Sequence, residues 1–172
     1  MEKITRFVKN TLVLLFLILL LMAYYDIRDI GEQVTVYRDT TGKGLGTINP
    51  DWFFYAPLIF LILLNVIISR IARMVGDFPL QKLNLPQKDF WFEDAEREEK
   101  LEVVLKTWVY GFALIFNILF VVLISQIWMA HRGLGGQLYQ YGLILVVFTV
   151  VLLGWIGFIF YRLRLRKEEF IS

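Results

Sequence analysis

The chain has 172 residues, 58% of them hydrophobic and 16% aromatic, with a net charge of +2 and no cysteine. The missing cysteine excludes disulfides, thiolate metal sites, cysteine nucleophiles and lipidated cysteines together. The small net charge, with no basic patch interleaved with aromatics, gives no footing for nucleic acid.

The apolar residues are gathered in blocks, and the blocks set the predicted elements. The first is TLVLLFLILLLMAYY at 11–25, preceded by Lys3, Arg6 and Lys9. It ends in bulky tyrosines where a small-x-small cleavage site belongs, so it reads as an uncleaved signal anchor. Phe7 to Asn10 extend it to membrane length, with Lys9 expected to snorkel to the interface. The span is placed at about 8–25. An outer loop at 26–51 follows, with VTVY alternating like a short strand, Thr40 to Gly46 reading as turns, and Asn49-Pro50 at its end.

The second block, WFFYAPLIFLILLNVIIS, predicts a span at about 52–71. A charged loop at 72–106 carries the stretch LNLPQKDFW, Leu83 to Trp91. Pro79 and Pro86 exclude a continuous helix there, since each removes a backbone donor and restricts its predecessor. From about Asp94 the pattern turns helical, with acids clustered where a helix dipole favours them. The third span, 107–129, is therefore the inner part of a helix that starts well before the membrane. A tight glycine-rich loop, HRGLGGQ, leads to the fourth span at about 140–161 and the basic tail RLRLRKEEF. Each block approaches the ~20 residues a helix needs to cross a ~30 Å hydrocarbon core.

Four spans put both termini on one side. That side carries 14 basic residues against 4 on the other, so the positive-inside rule places the termini in the cytoplasm. Tyrosines and tryptophans gather at span ends, as aromatic rings do at headgroup depth. The fold class expected is an all-α membrane protein with four transmembrane helices, both termini cytoplasmic and helix three extended into the cytoplasm. The chain reads as a single membrane domain over 1–172.

Candidate sites are few. Asn84, Pro86, Phe90 and Trp91 form an aromatic, proline-punctuated segment beside the membrane. They suit either an interfacial anchor or a docking surface. Asn65, Asn117 and Gln126 are amides inside spans, expected to bond across helices, with Asn65 and Asn117 at depths that let them face each other. Gly154 and Gly157 make a small-residue notch suited to a close helix crossing, within the bundle or in a dimer. Arg162, Arg164, Arg166 and Lys167 stand ready for anionic lipid headgroups. His131, the sole histidine, cannot build a metal site of the usual composition, and pairing it catalytically would need Asp39 or Asp51. GKGLG lacks the strand and helix of a phosphate cradle and reads as a turn. No catalytic motif is present. No enzyme activity, cofactor or metal is expected.

LNLPQKDFW resembles a cytoplasmic segment, N-L-P-N-K-x-Y-W, of a family of small bacterial membrane proteins. That family shares the domain of unknown function found at the N-terminus of immunity proteins against the Sdp (sporulation-delay) toxin. The family's outer-loop pattern, P-x-x-V-P-x-H-x-x-x-x-G, falls on Gly31 to Gly44, with Thr35 at a proline position and Tyr37 at the histidine position. Order and spacing match over about residues 10–130. The resemblance implies this architecture and a bacterial origin, and does not transfer toxin immunity. The function expected is that of a non-enzymatic inner-membrane protein of this immunity-like family, an accessory or interaction protein. Its expected partners are the lipid bilayer, a membrane or cytoplasmic protein, and a second copy in a homo-oligomer. The competing expectation is an oligomeric transport or permeation component using Asn65 and Asn117.

Overall fold

The computed structural model describes residues 2–30, 33–38, 44–132 and 141–164. Four helices in it are long and apolar enough to cross a membrane. They are α1 (Glu2–Ile30), α2 (Pro50–Asp77), α4 (Ala95–His131) and α5 (Tyr141–Arg164), with the one-turn α3 (Lys88–Trp91) between the second and third. A two-stranded antiparallel hairpin, β1 (Val34–Arg38) with β2 (Gly44–Ile48), joins α1 to α2.

Helices α1, α2 and α4 form the central bundle, and α5 packs along α4. Each boundary has a local cause. Asn49 caps α2 by accepting the Asp51 N–H at 2.7 Å, with Pro50 at the first helical position, where its missing donor does no harm. Asp94 caps α4 by accepting the Arg97 N–H at 2.8 Å. At 37 residues, α4 is about 55 Å long, well beyond a ~30 Å hydrocarbon core.

Three expectations are corrected. Helix α1 runs through Asp26 to Ile30 instead of ending at the tyrosines, because Ile27 is buried and Asp26 is held by α4. Gly44–Ile48 is a strand; Gly46 lies opposite Tyr37 at an irregular step of the register, where a residue without a side chain is tolerated. Thr40 to Lys43 lie outside the described residues, as does the loop after Arg132. The segment between α2 and α4 is short, residues 78–94, and carries a 3-10 turn at Leu80–Lys82 and the α3 turn.

Two ends of the bundle are distinguishable. At the hairpin end, Phe16, Leu20, Ile27, Val34, Phe53 and Ile127 form one core, so β1 contributes directly to the helix packing. At the opposite, basic end, Leu80, Trp91, Leu101, Leu105, Ile159 and Leu163 form another.

Candidate functional site

The stretch LNLPQKDFW closes the basic end. Trp91 is 1% exposed and its indole Nε1 donates to the Leu163 carbonyl at 3.3 Å. Gln87 donates from its side chain to the Arg164 carbonyl at 3.1 Å. Both acceptors are backbone carbonyls of α5. The segment is thus tied to the fourth span by two side-chain bonds. To present its amide, Gln87 takes a left-handed backbone (φ 54°, ψ 42°), which is uncommon for a residue with a Cβ. Arg97 holds the other side, stacking over the Phe90 ring at 4.5 Å and pairing with Glu93 and Asp94.

This corrects the expectation for Trp91. A residue this enclosed is neither a headgroup-level anchor nor a docking contact. Asn84 remains exposed, and Pro86 and Phe90 are half-buried. The four residues predicted as one surface are therefore split between core and exterior.

The polar residues of the spans meet between α1, α2 and α4. Asn65 donates to Asn117 Oδ1 at 2.8 Å, and Asn117 donates back to Asn65 Oδ1 at 3.2 Å. Asn117 is fully buried and also reaches the Lys9 carbonyl at 3.4 Å. The amides face each other as their depths suggested. Gln126 is half-buried and takes no part in this pair. Lys9 departs from expectation. It is 7% exposed, its ammonium donates to Ser69 Oγ at 3.0 Å, and it lies over the Tyr110 ring with Arg6. No carboxylate stands within ion-pair distance of it among the described residues. The sequence signal was available: a lysine on the membrane side of Arg6, one turn before a continuous apolar run.

Where α4 meets α5, Trp108 Nε1 donates to the Trp155 carbonyl at 2.9 Å and Trp155 Nε1 donates to the Trp108 carbonyl at 3.0 Å. The Trp155 ring lies on Gly111, where a Cβ would stand 2.1 Å from a ring carbon. Gly111 thus makes the close crossing. Gly154 and Gly157 have nothing within 4 Å of an added Cβ, so within the bundle they make no close crossing.

At the hairpin end, Asp26 accepts from Trp128 Nε1 at 2.6 Å and from Arg132 Nε at 2.7 Å, tying α1 to α4. His131 Nε2 accepts the Thr35 N–H at 3.1 Å, so its proton sits on Nδ1, 2.9 Å from the Ile127 carbonyl. Its partners are backbone groups. Asp51 is engaged instead by the Tyr24 hydroxyl at 2.8 Å, and Asp39 lies outside the described residues. Among the described residues no three His, Cys, Asp or Glu side chains are grouped to hold a metal. Arg162 is half-buried and Arg164 exposed, while Arg166 and Lys167 lie outside the described residues. No protein-family model, curated protein or solved structure matches the chain.

Proposed function

We propose that the chain is a non-enzymatic integral protein of the bacterial cytoplasmic membrane, with both termini and the 78–94 segment in the cytoplasm and the hairpin outside. It acts as an accessory or interaction protein of the immunity-like type, through contacts made by the hairpin end. The observation that carries this reading is the seating of the hairpin. Val34 is fully buried among the helices, and the Thr35 N–H is held by His131, so β1 is seated on the helix bundle. Preorganised surfaces lose less entropy on binding.

The likeness of LNLPQKDFW to the family's segment gains a physical rationale. The family pattern has asparagine where this chain has Gln87, and asparagine is a residue that tolerates the left-handed backbone. The tryptophan common to both is the one that bonds the Leu163 carbonyl of α5.

Because the chain has no cysteine, a single one can be placed at will. Thr47→Cys sits on exposed β2 and Lys88→Cys on exposed α3. A membrane-impermeant maleimide is expected to label only the first in intact cells; the reverse would overturn the orientation. A photocrosslinker attached at position 47 in native membranes is expected to capture a discrete protein. Adducts to lipid alone would refute the interaction reading.

Lys9 favours a second reading, an oligomeric transport component, because ionisable residues inside a membrane bundle commonly serve ion or proton paths. Proteoliposomes held under a membrane potential test it: conductance above background, lost in Lys9→Met, is required, and none in the wild type dismisses it.

A further inference from the structure

A cleft of about 200 Å³ lies between the basic halves of α4 and α5, walled by Val103, Val104, Phe158 and Ile159. The Trp108–Trp155 pair borders it on the side toward Gly111. Its remaining lining residues are Thr107 and Arg162. Three observations on this cleft belong together.

The first is an unmet hydrogen bond. Hydroxyls inside a helix commonly donate to the carbonyl four residues back. Thr11, Ser125 and Thr149 do so here, at 3.1, 2.7 and 2.8 Å. Thr107 does not, and its Oγ1 is the buried side-chain polar atom without a partner among the described residues. A buried hydroxyl left without a partner is unfavourable, and an acceptor from the surrounding lipid would meet it. The second is charge. Arg162 lines the same cleft. The third is depth. Thr107 and Arg162 each adjoin an interfacial aromatic, Trp108 and Tyr161, so they lie where headgroup meets hydrocarbon.

We propose that this cleft binds one anionic phospholipid from the leaflet at the basic end. Its phosphate sits on Arg162, and a glycerol ester carbonyl accepts from the deeper Thr107 hydroxyl. Phosphate and ester follow one another along a phospholipid in the order of cation and hydroxyl found here, since the Trp108–Trp155 pairing sets Thr107 deeper than Arg162. The site is independent of the hairpin's partner.

Native mass spectrometry tests this, on purified protein in an equal mixture of phosphatidylglycerol and phosphatidylcholine with matched chains. One phosphatidylglycerol per chain is expected to be retained in preference. Arg162→Gln should lower that preference roughly fivefold, the worth of one basic residue near an anionic surface. Arg70→Gln, an exposed arginine on α2, should leave it unchanged. Thr107→Val removes the unpartnered donor without changing side-chain shape, and should weaken retention of both lipids. Tryptophan fluorescence establishes that each variant is folded. No preference in the wild type, equal loss in Arg70→Gln, or undiminished retention in Thr107→Val would each overturn the site.

Discussion

Replacing Gly111 by alanine is the most direct test of how α5 is held. An added Cβ would lie 2.1, 2.4 and 2.7 Å from three atoms of the Trp155 ring. The ring cannot yield freely, because its Nε1 bonds the Trp108 carbonyl and the Trp155 carbonyl accepts in return. Relief requires moving α5 away from α4. Overpacking of this kind costs about 1–3 kcal/mol. Losing two interhelical bonds adds roughly 0.6 kcal/mol each, the average for polar contacts within membranes. The expected loss is therefore roughly 2–4 kcal/mol. Gly154→Ala and Gly157→Ala on the same helix pair are the controls, since an added Cβ at either meets nothing within 4 Å. Stability would be followed by intrinsic tryptophan fluorescence during denaturation from mild to harsh detergent, with Trp155 itself as a reporter. Gly111→Ala as stable as Gly154→Ala would refute the crossing.

Further outcomes follow from the other contacts. Asn117→Leu should destabilise by about 1–2 kcal/mol, since it strands the Asn65 amide and frees the Lys9 carbonyl. Adding Asn65→Leu should cost little more, so additive losses in a double-mutant cycle would argue against the pair. Lys9→Met removes a buried, unpaired cation while keeping most of its volume; denaturation should occur at equal or higher detergent fraction, and a marked loss would mean that the Ser69 bond outweighs desolvation. A photoreactive residue at position 91 should crosslink to residues near Leu163 of the same chain, whereas capture of a separate protein would contradict its burial. His131→Ala should speed hydrogen exchange at the Thr35 amide, and unchanged protection would show that the hairpin is held by other contacts.

Much of this molecule was legible without a structure, for reasons of solvent. The apolar blocks of 52–69 and 141–161 leave a chain in water no course but a bilayer, and helices alone satisfy their own backbone there. Asp94 before an acidic turn, and Asn49-Pro50, announced helix starts through local chemistry. VTVY announced a strand by alternation, and Asn65 and Asn117 announced each other by depth. What remained hidden depends on helix rotation and on contacts far apart in the chain. Trp91 reads identically in sequence whether it faces lipid, a partner or the end of α5, and only the path of residues 78–94 turns it inward. Gly111, Gly154 and Gly157 are equally small, yet which one admits a ring is set by the azimuth at which α5 meets α4. Lys9 would have snorkelled had its face of α1 pointed outward; packing against Ser69 and Tyr110 decided otherwise. Hydropathy makes these helices long and apolar enough to cross a membrane. The faces they turn to one another are decided by side-chain fit, which exists only once all the helices are in place.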